Sequence, residues 1–147
     1  MRAVVQRVKY TKLSVDGELV SEIPFGLTVF LGITTGDSEK QAEWLMKKVA
    51  GLRIFEDEAG KMNLSVKDVG GEVLLVSQFT LYGDASHGNR PSFTLAARPE
   101  IAEPLYEYAV EALTAQGVTV KKGVFGGDMK IEQYNDGPVT ILLEKED

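Results

Sequence analysis

Two short segments hold most of the residues in this chain that could do chemistry. Ser77-Gln78-Phe79-Thr80 closes an apolar run, Val73-Leu74-Leu75-Val76. It places two hydroxyls and an amide where a buried strand would end, a position from which side chains can meet a substrate. Polar residues at strand ends also serve as plain caps and turns. If the strand stays extended, Gln78 and Thr80 face one side and Phe79 the other. The second segment is Asn135-Asp136-Gly137-Pro138-Val139-Thr140. On its own it reads as a turn feeding the last strand, with proline at the strand's first position.

Other routes to catalysis close quickly. Cys is absent, which excludes disulfides, thiolate nucleophiles and Cys-ligated metals. His87 is the only histidine, so no site can use two imidazole ligands. A Ser-His-Asp triad would have to use it. It lies among the turn formers Asp84-Ala85-Ser86-His87-Gly88-Asn89, and a solvent-exposed loop is the expectation there. Gly123-Val124-Phe125-Gly126-Gly127 lacks the Lys-Ser/Thr of a phosphate-binding loop and the spacing of a dinucleotide fingerprint. It reads as a turn between strands. Residues 56–61 carry too few acids for a calcium loop and read as a solvated turn. No metal site and no cofactor are expected.

Composition sets the frame. A chain of 147 residues is the size of one domain, expected to span residues 1–147. Its 44% hydrophobic and 26% charged residues are ordinary globular usage. A net charge of −6 argues against wrapping duplex nucleic acid, which usually takes a strongly basic protein. A local basic patch remains open, since Arg2, Arg7, Lys9 and Lys12 occur with no nearby acid. No stretch approaches the roughly 18 consecutive apolar residues of a membrane span. The N-terminus alternates and lacks the apolar core of a secretory signal. A soluble, cytoplasmic protein is expected.

The elements that must position these residues follow from pattern. Residues 3–15 read as a long strand. Asp16-Gly17 is a hairpin signal and 18–23 the return strand. Residues 27–33 are almost wholly apolar and read as a strand buried on both faces. Ser38 can cap a helix, with Gln41 completing a capping box and Ala42, Leu45, Met46 and Val49 at helical spacing. Residues 72–82 read as one strand and 83–90 as a loop. A second helix is expected over 99–116, with Ile101, Leu105, Tyr108, Ala109 and Ala112 as its apolar stripe. Pro99 suits a first turn. Pro104 does not suit an interior, so the helix kinks there or starts near Glu103. Three short strands, 118–122, 129–134 and 139–144, complete the chain. The expected fold class is α+β, a single domain with two helices packed on largely antiparallel sheet.

Taken together, the two motifs resemble those of the D-aminoacyl-tRNA deacylase family in its bacterial form, formerly called D-tyrosyl-tRNA deacylase. The resemblance runs from Met1-Arg2-Ala3-Val4-Val5-Gln6-Arg7-Val8 through Leu52-Arg53-Ile54-Phe55-Glu56-Asp57 and Gly60-Lys61-Met62-Asn63. It includes Ser77-Gln78-Phe79-Thr80-Leu81 and Gly88-Asn89-Arg90-Pro91-Ser92-Phe93, and ends at residues 135–140. Gly127 stands where alanine is expected, and Glu132-Gln133-Tyr134 is more polar than usual.

The resemblance implies hydrolysis of the ester joining a D-amino acid to the 3′ CCA end of tRNA, as chiral proofreading in translation. It implies a homodimer whose Gly137-Pro138 peptide is cis and enters the partner's pocket. Backbone carbonyls there would exclude the L enantiomer by sterics. Glycine, with no side chain to clash, is then expected to escape full rejection. The N–H groups around Phe79 and Thr80 would stabilise the oxyanion, and Gln78 and Ser77 would hold the ribose or the carbonyl. Thr80 is the one hydroxyl that could attack; the rival is water oriented by the substrate's 2′-hydroxyl. Met129 and Phe125 would line an adenosine pocket. Arg7 would brace the Gly-Pro carbonyls, or else point to solvent as a plain strand residue. Rival readings are a deacylase acting chiefly on glycyl-tRNA, a non-catalytic RNA-binding module and a purely structural dimer.

Overall fold

A computed structural model describes residues 1–147. Its backbone is the strand β1 (Arg2–Val15), which is paired along both edges. Asp16 and Gly17 both take positive φ, 50° and 78°, and turn β1 into β2 (Glu18–Ile23). On that same edge β3 (Gly26–Gly32) pairs antiparallel with the first half of β1. The chain then forms α1 (Glu39–Gly51), followed by a small hairpin of β4 (Phe55–Glu56) and β5 (Met62–Leu64) around residues 57–61. Next come β6 (Glu72–Ser77), α2 (Pro99–Ala115), β7 (Thr119–Lys122) and β8 (Met129–Glu144). β8 runs antiparallel along the other edge of β1. β3, β6 and β7 are mutually parallel, so the sheet is antiparallel at its centre and parallel at one flank.

The sheet buries apolar residues on two faces. Ala3, Val5, Leu27, Val29, Leu31, Val73 and Leu75 meet Leu45, Met46 and Val49 of α1 and Leu105, Ala109 and Leu113 of α2. The opposite face of β6, Leu74 and Val76, joins Val8, Leu13 and Ile23 in a second, smaller core where the sheet curls. Thr11 and Thr28 are fully buried, and their hydroxyls satisfy each other at 2.7 Å. Burial on both faces explains the unbroken apolar run of β6. Truncating Leu74 or Leu75 to Ala would cost about 2–5 kcal/mol.

The expected strands, turns and capping box are present, with Ser38 N–H donating to Gln41 Oε1 at 2.8 Å. Several details differ from expectation. β6 stops at Ser77, and Phe79–Tyr82 forms a 3₁₀ turn instead of extended strand. α2 starts at Pro99, not near Glu103, and continues through Pro104. Ile101 is exposed, while Ala102, Tyr106 and Leu113 are buried in its stead. The packing partners of α2, not its own periodicity, choose which stripe turns inward. The last two expected strands are one strand, β8, interrupted by a bulge. No helix is long and apolar enough to cross a membrane.

Candidate active site

The end of β6 is where the chain opens. Gln78 N–H donates to Leu31 O at 2.8 Å, the last rung between β6 and its neighbour β3. Beyond it the backbone folds back as the 3₁₀ turn, packed hard against β3. A Cβ on Gly32 would lie 2.9 Å from Leu81 Cβ and 3.2 Å from Gln78 O, so only glycine lets the turn settle there. The segment after the turn is stitched to the sheet's end. Asp84 and Ser92 exchange backbone hydrogen bonds at 2.8 Å, and Ala97 N–H donates to Ile33 O at 2.9 Å. Thr34 Oγ1 donates to Leu95 O. This brings Phe93 edge-on to Phe79, with ring centroids 5.2 Å apart.

Between these parts lies a cleft of about 730 Å³. Ser77, Gln78 and Phe79 form one wall, and Phe125, Gly126, Gly127 and Met129 another. Phe93, Thr94, Ala97 and Arg98 close the remainder, together with the start of α2. Phe79 is 54% exposed, an apolar ring held out towards solvent at the cleft. Phe125 is steadied from behind by Tyr106, ring to ring at 6.2 Å. The Tyr106 hydroxyl donates to Leu75 O at 2.7 Å, and burial pushes its pKa well above the ordinary tyrosine value.

The structure thus brings together Ser77, Gln78, Phe79, Phe125 and Met129. Thr80 stands just outside the cleft, exposed, its hydroxyl hydrogen-bonded to the Gln78 amide. His87 is exposed in its loop and does not line the cleft. Among the lining side chains only Arg98 carries a charge.

Gly137 and Pro138 lie elsewhere on the same chain. Gln6 pairs with Thr140 and Val8 with Asn135, so Asp136 to Val139 stand opposite the single residue Arg7. The excess residues of β8 bulge outward. The Gly137–Pro138 peptide bond is cis, and both residues are exposed. Val139, at 7% exposure, roots the bulge in the core. Arg7 is not a solvent-facing residue but 7% exposed. Its Nε–H donates to Asp136 O at 2.9 Å and its Nη1 to Ile54 O at 2.7 Å. Asp136 Oδ2 lies 3.4 Å from Nε. The brace falls on the carbonyl before Gly137, not on the Gly-Pro carbonyls.

Sequence reasoning passed over Phe93 and Arg98 as site residues. Phe93 ends one of the segments that carry the family resemblance, but neither residue has a chemical signature of its own. They reach the cleft through the long-range bridges of residues 84–97, which no local pattern encodes.

Comparison with known proteins agrees with this architecture. The family model described as D-Tyr-tRNA(Tyr) deacylase matches residues 4–144. A D-aminoacyl-tRNA deacylase of Fusobacterium nucleatum is 54% identical over 147 residues, covering 100% of this chain and 97% of that protein. One from Carboxydothermus hydrogenoformans is 55% identical over 144 residues, covering 98% and 99%. The solved structure titled c-Myc DNA Unwinding Element Binding Protein superposes with a TM-score of 0.93 at 44% identity, covering 100% of both chains. A probable eukaryotic D-amino acid tRNA deacylase shares the fold, with a TM-score of 0.85 at 16% identity over 97% of each chain. With the family model matching residues 4–144 of the 147 and relatives above half identity, this chain belongs to the D-Tyr-tRNA(Tyr) deacylase family.

Proposed function

We propose that this protein hydrolyses the ester between a D-amino acid and the 3′ CCA end of a tRNA, leaving L-aminoacyl-tRNA intact. The observation that carries the reading is the convergence of Ser77, Gln78, Phe79, Phe125 and Met129 on one cleft. Phe125 and Met129 offer a soft apolar wall for the terminal adenine. Gln78 and Ser77 offer hydrogen bonds to the ribose or the ester carbonyl.

The chemistry needs little from the protein. Water adds to the ester carbonyl, the bond to the ribose oxygen breaks, and that oxygen leaves with a proton. The first N–H groups of a helical turn have no partner within it, and those of Phe79 and Thr80, which open the 3₁₀ turn, are the donors assigned to the developing oxyanion in this reading. No carboxylate, imidazole or amine lines the cleft, and the Arg98 guanidinium cannot act as a base. Thr80 lacks a base as well, since its hydroxyl contacts a neutral amide. The attacking water is therefore oriented by the substrate's own 2′-hydroxyl. The reaction as written uses no cofactor and belongs in the cytoplasm, where tRNA is charged.

Selectivity comes from a second copy of the chain. Gly137 and Pro138 are exposed and do not line the cleft of their own subunit. In a homodimer each subunit passes this tip into the other's cleft, where backbone carbonyls collide with an L side chain. Val4, Leu81 and Leu142 supply an apolar surface for the second copy to cover, with Leu142 76% exposed. Glycyl-tRNA, with no side chain to collide, remains a partial substrate.

The relative named for binding a DNA element keeps a pure binding module as the rival reading. The net charge of −6 weighs against it. Turnover decides between them. A deacylase releases free amino acid from D-aminoacyl-tRNA over many cycles, whereas a binding module only retards the RNA on a gel.

A further inference from the structure

Arg98 has no role in the hydrolysis described above, yet it is the one charged side chain lining the cleft of an acidic protein. Its backbone is pinned, because its carbonyl accepts the N–H groups of Ile101 and Ala102 at 2.9 Å at the start of α2. Its side chain is loose, 84% exposed, with a single ion pair to Glu100 at 3.7 Å. A pair this long and this exposed contributes almost nothing and is easily exchanged. A fixed Cα with a free guanidinium suits the capture of an anion entering the cleft.

Resting on the proposed function, we infer that Arg98 binds a phosphodiester of the tRNA 3′ strand, upstream of the esterified adenosine. Every nucleotide before the reactive one brings a phosphate, and the one acid beside Arg98, the exposed Glu100, holds it so loosely that a phosphate can take its place. The planar fork of arginine matches two phosphate oxygens at once. Arg98 is thus a binding residue for the RNA strand and touches no reacting atom.

The test compares Arg98→Ala, Arg98→Lys and Arg98→Glu on two substrates. One is full-length D-tyrosyl-tRNA; the other is the D-tyrosyl ester of adenosine, which has no phosphate. For tRNA, Arg98→Ala should raise KM by about 3–10-fold with kcat held, and flatten the slope of log KM against log salt by about 0.7. Arg98→Lys should recover most of the loss and Arg98→Glu should exceed it. The adenosine ester should show no such ordering. An unchanged KM and salt slope for tRNA would overturn the assignment, as would an equal loss on both substrates. A wild-type protein inert on both would remove the deacylase reading itself.

Discussion

The guanidinium of Arg7 holds the main-chain oxygen of Asp136 at 2.9 Å, one residue before the Gly137–Pro138 tip. The same group holds Ile54 O at 2.7 Å. One buried side chain thereby ties the bulge of β8 to the segment after α1. A bulge pairs poorly with its neighbour strand and needs such a tie to keep one conformation.

Arg7→Ala should therefore act at two levels. It strands two carbonyls that are partly or wholly shielded from water, which costs about 2–4 kcal/mol in total. Urea unfolding would read that loss. At a temperature where the variant stays folded, deacylation of D-aminoacyl-tRNA should still fall by at least about tenfold. Full activity in the folded variant would show that the tip needs no brace.

Thr80 offers a cleaner division between mechanisms. Its hydroxyl meets only the Gln78 amide and stands outside the cleft. Thr80→Ala should lower kcat by less than about tenfold, since a single general-base or orienting contact is worth more than that. A fall of several orders of magnitude, together with an acyl group trapped on Thr80 of the wild-type protein, would establish covalent attack.

A composite site predicts complementation between two inactive chains. Gly137→Ala should disable the tip, since a Cβ there would meet Val139 N at 2.7 Å. Ala96→Trp should fill the cleft, which Ala96 helps to line. Each variant alone should be inactive. Refolded together, their heterodimers should each regain one working site. Absence of recovery in verified heterodimers would place tip and cleft in the same subunit.

Tyrosine ionisation sets an alkaline limit on stability. Burial, reinforced by Asp37 and opposed by Arg2, pushes the Tyr82 pKa up from 10.0 to about 12. The folded state thus favours the neutral phenol. That contribution is complete below pH 10, where the unfolded phenol is also neutral, and is lost as pH rises from 10 towards 12. Stability measured by urea should fall between pH 9.5 and 11.5, by up to about 2–3 kcal/mol from this group. Tyr82→Phe should flatten the fall. Parallel curves for the two proteins would assign it elsewhere.

The parts of this fold that were readable in the sequence are those whose physics is local. Asp16-Gly17 turns because those residue types tolerate positive φ, and Ser38 and Gln41 cap a helix by contacts three residues apart. The parts that escaped depend on distant partners. β6 ends at Ser77 because Gly32, far away in sequence, makes room for the turn. The last two expected strands join because β1 runs beneath both. Ile101 faces solvent because α1 and the sheet meet α2 on another stripe. The site divides likewise. Ser77, Gln78 and Phe79 are contiguous and legible as a motif, whereas Phe93 and Arg98 enter the cleft only through a folded-back loop.

The central proposal is chiral deacylation by a cleft that supplies no acid or base of its own. Hydrolysis of D-tyrosyl-tRNA and L-tyrosyl-tRNA, assayed side by side with a chelator present, tests it most directly. The expected result is rapid release of D-tyrosine with L-tyrosyl-tRNA intact. Equal hydrolysis of both would contradict the selectivity assigned to Gly137 and Pro138, and inertness towards both would contradict the enzyme.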